Sequence, residues 1–211
     1  MKSLPTLPRL HAITDERIAR RPDLSMVAQQ LAAGGGRGGR EQLAFHARGR
    51  ALSGLEHYEL AVRLSGCPPA RLFVNDRLDV ALASDALGVQ LGQGSLNPED
   101  ARRLNPGWWI GRSVHDLREA EAAHAQGADY LLVGPVFPTA THPDRTPLGR
   151  ATLKQIAGLG LPVVAIGGVT PERIADLRAA ARIHGVAAIS ALWLAADPVD
   201  AARRMLEELN R

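Results

Sequence analysis

Pro162-Val-Val-Ala-Ile-Gly-Gly-Val-Thr-Pro171 sets a short apolar run against a glycine pair and a proline-started helix. The run carries no charge or polar side chain, as a strand covered on both faces of a parallel sheet requires. Thr170 puts a capping side chain before a proline at the first helical position, where the missing N–H costs nothing. Asn97-Pro98 and Asp197-Pro198 repeat that signal. Outward from this segment the same alternation recurs, giving eight apolar runs separated by stretches of helical period. The expected strands are Leu10–Ile13, Leu43–Arg48, Arg71–Val74, Leu87–Leu91, Trp108–Ser113, Asp129–Val133, Pro162–Ile166 and Val186–Ser190. The expected helices are Leu24–Ala33, Gly54–Leu64, Arg77–Ser84, Pro98–Leu104, Asp116–Gln126, Ala151–Leu159, Pro171–Ala181 and Pro198–Leu209. Eight units at about 25 residues each suit a closed barrel and are too many for most doubly wound sheets. The expectation is one (β/α)₈ TIM-barrel domain over residues 1–211, with an open α/β sheet as the alternative.

Composition narrows the function classes. The chain has 211 residues, 45% of them hydrophobic, enough for a substantial core. Its net charge of +3 comes from scattered arginines rather than a basic block, which argues against nucleic acid as a partner. One cysteine, Cys67, allows neither a disulfide framework nor a thiolate metal cluster, so a cytoplasmic protein is expected. Met1 to Arg9 lacks the apolar region of a secretory leader, and no run nears the roughly 18 residues that span a bilayer. No membrane partner is expected. Gly34 to Arg40 follows a helix and lacks the Lys-Ser/Thr ending of a phosphate-cradling loop, so it is read as a flexible loop.

In a barrel the chemistry sits where strands end. Polar residues gather there: Thr14 and Asp15; His46, Arg48 and Arg50; Asn75 and Asp76; Gln90 and Gln93; Arg112, Ser113 and His115; Thr139, Thr141 and His142; Gly167 and Gly168; Ser190 with Ala191. The glycine pair lets backbone N–H groups approach an anion, although a tight turn alone also explains it. Asn75-Asp76 suits a substrate or a hard cation, or Asp76 is simply a helix cap. His46 and His142 are the candidate acid–base residues, since imidazole needs only a small shift to work near neutral pH. Arg48 and Arg50, two apart on a strand, would face one side and one anion, unless both are solvated. His57, His124 and His184 are read as surface residues, and His115-Asp116 as a helix start.

Four ordered segments carry a resemblance. They are Leu10-His-Ala-Ile-Thr-Asp, Asn75-Asp-Arg-Leu-Asp-Val-Ala-Leu-Ala, Gly134-Pro-Val-Phe-Pro-Thr-Ala-Thr and Val164-Ala-Ile-Gly-Gly-Val-Thr-Pro. Over almost its whole length the chain resembles the thiamine-phosphate synthase and thiazole tautomerase (TenI-type) superfamily. The resemblance implies a (β/α)₈ barrel, commonly a homodimer, that binds a small phosphorylated thiazole after the sixth, seventh and eighth strands. Thr139, Thr141, Gly168 and Ser190 match those contacts. A synthase joins hydroxymethylpyrimidine diphosphate to thiazole phosphate and releases pyrophosphate, with Mg²⁺ and cations neutralising the leaving group. Its Gln-Leu-Arg-Glu-Lys pattern reads His46-Ala-Arg-Gly-Arg50 here, its Gly-Gln-Glu-Asp reads Gly92-Gln-Gly-Ser95, and its lysine after Thr-x-Thr is His142. These departures favour the tautomerase branch, which moves only a proton and needs no cofactor, although that branch's histidine corresponds to Pro135. The expected function is therefore a thiazole tautomerase, with His142 or His46 as acid or base and Arg48 on the substrate carboxylate. The alternatives are a synthase with Asp76 as Mg²⁺ ligand, and a thiazole-phosphate binder without turnover.

Overall fold

The computed structural model describes residues 5–35, 42–139 and 146–211. Its strands are β1 (Leu10–Ile13), β2 (Leu43–Ala47), β3 (Arg71–Asn75), β4 (Gly88–Leu91), β5 (Trp109–Val114), β6 (Tyr130–Val133), β7 (Val163–Ile166) and β8 (Gly185–Ala188). All pair in parallel in sequence order, and β8 returns to β1 through Leu10 opposite Val186, closing the barrel. The helices are α1 (Glu16–Ala19), α2 (Leu24–Gly35), α3 (Gly54–Ser65), α4 (Leu78–Ala83) and α5 (Pro98–Leu104). Then follow α6 (Leu117–Ala125), α7 (Arg150–Ala157), α8 (Pro171–Ala180), α9 (Ser190–Trp193) and α10 (Pro198–Asn210). None is long and apolar enough to cross a membrane.

Strand alternation divides the apolar residues into two clusters. Leu10, Ala12, Phe45, Val74, Ile110 and Val133 face outward and pack under the helices. Ile13, Ala44, Phe73, Tyr130, Leu132, Val164 and Ala187 fill the barrel instead. Small residues on two strands make room for the interior rings. A Cβ on Gly88 would lie 2.5 Å from the Phe73 ring, and one on Gly111 would collide with Tyr130. Phe73 and Tyr130 then meet edge to face, with ring centroids 6.1 Å apart.

Several boundaries differ from the sequence reading, each for a local reason. β2 stops at Ala47, so Arg48 and Arg50 lie in the following turn and the same-face strand argument does not apply to them. Thr14 holds that turn: its Oγ1 accepts from Arg48 N at 2.9 Å and lies 2.8 Å from the Arg48 carbonyl. Of the three capping residues before prolines, only Asp197 bonds its helix, accepting from Asp200 N at 3.0 Å; Asn97 and Thr170 make no cap bond. The loop read from Gly34 begins later, because α2 runs through Gly35. Gly34 packs so closely on α10 that a Cβ would collide with the Val199 carbonyl. Residues 36–40 lie outside the described residues. After β8 the chain turns at once into α9 at Ser190, where a longer strand was expected.

The histidines also redistribute. His124 is exposed, as expected. His57 is buried, and its Nε2 donates to the Ala47 carbonyl at 2.8 Å, tying α3 to the end of β2. His184 is half-buried against the carbonyls of Leu7 and Pro8. Neither is a surface residue. Each bonds backbone carbonyls of the barrel and ties two segments together.

Candidate active site at the barrel mouth

The C-terminal ends of the strands surround a cavity of about 750 Å³. One wall comes from the loops after β6, β7 and β8. Gly167 and Gly168 hold φ of +100° and +63°, values that side chains rarely adopt, and a Cβ on Gly168 would stand 2.5 Å from the Pro138 carbonyl. The close approach has a cause. Val136 N donates to Ile166 O at 2.9 Å and Phe137 N to Gly167 O at 3.0 Å, so the β6 loop is latched onto the glycine turn and brings Thr139 to the cavity. Arg173 braces the turn from α8: its guanidinium donates to Gly168 O at 2.7 Å and lies over the Phe137 ring at 5.0 Å. The N–H groups of Gly168, Val169, Ser190 and Ala191 bond no backbone carbonyl among the described residues. These four residues line the cavity, which leaves donors for an anion there.

The opposite wall carries side-chain charge. Arg48 is mostly buried; desolvation and then the neighbouring Arg50 lower its pKa, while Glu16, Asp76 and Asp15 act the other way. A cation so placed gains most from an anionic ligand. Asp76 sits at φ +61° after β3. Its Oδ1 accepts from Gly92 N at 2.8 Å and from the Ser95 hydroxyl, which draws the β4 loop over the site. Asp76 Oδ2 has no hydrogen-bond partner among the described residues. Further round, Gln90 Nε2 donates to Ser113 Oγ at 3.0 Å, and Gln93 Nε2 donates to the Ser113 carbonyl at 2.8 Å. His115 is engaged by Glu119, with Nδ1 3.0 Å from its carboxylate.

The structure thus brings Arg48, Arg50, Asn75, Asp76, Ser113, Thr139, Gly167, Gly168, Ser190 and Ala191 to one cavity. Gln90 and His46 are fully buried beneath it and do not line it. His46 contacts Asn75 and a second histidine, His11, and burial drives its pKa down to about 4. Thr141 and His142 lie outside the described residues. Arg112 turns away and donates to Leu96 O at 3.1 Å, while Asp15 caps α1 by accepting from Ile18 N at 2.8 Å. Sequence reasoning missed Arg173 and His11. The first was signalled by Pro171, which fixes the helix start and so places Arg173 in the first turn at the mouth. The second was signalled by its position two residues before Ile13, on the same face of β1.

Comparison with known proteins agrees with this geometry. The profile of the family described as thiamine monophosphate synthase matches residues 10–192. A thiamine-phosphate synthase from Chloroflexus aurantiacus is 41% identical over 207 residues, covering 95% of this chain and 92% of the relative. One from Methanoculleus marisnigri is 39% identical over 206 residues, covering 95% and 94%. Among solved structures, thiamine phosphate pyrophosphorylase from Pyrococcus furiosus superposes with a TM-score of 0.81 at 33% identity, covering 96% of this chain and 95% of that one. A matched span that takes in every strand, the glycine turn and both cavity walls makes this chain a member of the thiamine monophosphate synthase family.

Proposed function

We propose that the protein is a thiamine-phosphate synthase, which couples hydroxymethylpyrimidine diphosphate to thiazole phosphate and releases pyrophosphate. The observation that carries this reading is the two-ended mouth: unpaired backbone donors after β7 and β8, and across the barrel the cations Arg48 and Arg50 beside Asp76. One end suits a monoester dianion and the other a diphosphate. The reaction breaks the C–O bond to the diphosphate, which leaves with the electron pair, and forms a C–N bond from the thiazole nitrogen lone pair. No proton is transferred, so the reacting atoms need charge neutralisation rather than a base. Among the described residues, that need matches what the mouth offers, since His115 is held by Glu119 and His46 lies beneath the floor. The names of the relatives support the same reaction, and the preference for a tautomerase drawn from the sequence is reversed accordingly.

The family reading implies Mg²⁺. No group of three or more acidic, histidine or cysteine side chains is placed to hold a metal alone among the described residues. Asp76 Oδ2 is nonetheless a hard oxygen at the cavity, and Mg²⁺ commonly takes one or two carboxylates with the rest of its shell from substrate phosphates and water. Asp76 would hold it, with Ser95 alongside. When bound, the ion supplies positive charge to the departing diphosphate. Arg48 binds and orients that diphosphate, Thr14 and Glu16 hold the turn carrying Arg48 and Arg50, and the glycine turn fixes the thiazole phosphate.

Purified protein incubated with both substrates and Mg²⁺ should yield thiamine phosphate and pyrophosphate. The same protein given the non-aromatic thiazole carboxylate phosphate alone should leave it unchanged. Aromatisation without coupling would reinstate the tautomerase.

A further inference from the structure

A chain of polar groups runs through the barrel interior under the cavity floor. His11 Nε2 lies 3.0 Å from the Pro8 carbonyl oxygen, His11 Nδ1 lies 2.8 Å from His46 Nε2, and His46 Nδ1 lies 3.1 Å from Asn75 Oδ1. Both rings are fully buried. Phe73 stacks on His46 with centroids 5.1 Å apart, and Tyr130 packs near His11. The coupling chemistry uses neither histidine. Asn75, at the end of the chain, lines the cavity and has no other side-chain hydrogen bond among the described residues.

Counting protons gives this chain a direction. A carbonyl only accepts, so Pro8 obliges His11 to carry a proton on Nε2. A neutral His11 then presents a bare Nδ1, which obliges His46 to carry its proton on Nε2. A neutral His46 in turn presents a bare Nδ1, and only an N–H of the Asn75 amide can meet it. With Oδ1 on His46 the two rings would have to share three protons, which makes one of them an imidazolium buried without a carboxylate. Turning the amide over puts Nδ2 on His46 without changing the outline of the side chain. Burial already disfavours charge on both rings, lowering His46 to about 4 and His11 well below its ordinary value.

We propose that His11 and His46 are positioning residues that hold Asn75 with its carbonyl oxygen toward the cavity, so that Asn75 reads an N–H donor beside the arginines that take the phosphate oxygens. The donor that fits is the exocyclic amine of an aminopyrimidine. The identity of that ligand rests on the synthase reading; the orientation of Asn75 does not.

Long-range ¹H–¹⁵N correlation spectra of the ¹⁵N-histidine-labelled full chain at neutral pH test the orientation. His11 and His46 should both be neutral and protonated on Nε2. A proton on His46 Nδ1, or an imidazolium at either position, overturns the proposal. His11→Phe then removes the acceptor that fixes the tautomer of His46, freeing Asn75 to turn. The KM for the pyrimidine diphosphate should rise about tenfold, while kcat and the KM for thiazole phosphate stay within about twofold. An unchanged pyrimidine KM overturns the recognition role. If the variant does not fold, the spectra of the unaltered chain decide the matter alone. The expected tautomers in a protein without coupling activity would support the orientation of Asn75 and overturn only the synthase reading.

Discussion

At His46 and His11 the barrel interior decides the charge, and stability has to depend on pH as a result. Unfolded, each imidazole titrates near 6.5; folded, desolvation keeps His46 neutral down to about 4 and holds His11 well below its ordinary value. Between those values the unfolded chain binds more protons than the folded one. The stability these neutral rings allow is therefore complete above about pH 6.5 and falls as pH drops toward about 4, at about 1.4 kcal/mol per unit for each ring. Urea unfolding at neutral pH and again near pH 5 reads the slope, and a flat result would contradict the neutral pair. Gly168 gives a second residue-scale test. With φ at +63° and the Pro138 carbonyl 2.5 Å from where a Cβ would stand, Gly168→Ala should cost on the order of 1–3 kcal/mol and raise the KM for thiazole phosphate. A variant with unaltered melting temperature and KM would show that the turn can relax. Gly167 and Gly168 were legible in the sequence as a strand-to-helix turn, and their place at the cavity came from the structure. His46 was misjudged in depth. His46 lies one residue inside the end of β2 at Ala47 and bonds His11 and Asn75 within the barrel, so the imidazole sits a layer below the mouth, which begins at Arg48.

Among the elements, strands and long helices were legible because both ends of the periodic signal survive in one sequence: apolar runs under helices, and proline or glycine at the breaks. What escaped was tertiary. Ser190-Ala-Leu-Trp193 is too short to show a helical period, so α9 was not expected and its first residue, Ser190, was read as the end of β8. Capping was over-read at Asn97 and Thr170, since a residue type suited to a cap does not fix its rotamer. Asp197→Ala should accordingly cost about 1 kcal/mol, while Asn97→Ala and Thr170→Ala cost less in the same chemical denaturation series. Equal losses at all three would mean that the caps form in solution alike. Gly34 reverses the usual helix rule. By propensity, alanine in a helix interior gains about 1 kcal/mol over glycine. Here a Cβ would collide with the Val199 carbonyl of α10, so Gly34→Ala should lower the melting temperature instead. A stabilised variant would show that α2 and α10 can move apart without loss.

Across the whole molecule, closure of β8 onto β1 sets the two proposed anion sites against each other, with the glycine turn of β7 facing the loops of β3 and β4 over the filled interior. The interior packing of Phe73, Tyr130, Leu132 and Val164 fills the space between the two walls, and residues on walls that share no partner act independently. Independence has a kinetic signature. Arg48→Gln removes a buried cation from the diphosphate end and should raise the KM for the pyrimidine diphosphate by roughly tenfold to a hundredfold, the range for a hydrogen bond to a charged group. Its effect on the KM for thiazole phosphate should stay within about twofold, since the wall after β7 and β8 is untouched. Gly168→Ala should do the converse. Initial-rate matrices with both substrates varied resolve the two constants for each protein. If either substitution raises both constants together, the two ends are one site, and a mouth with a single anion-binding centre would fit a one-substrate enzyme better than a coupling one.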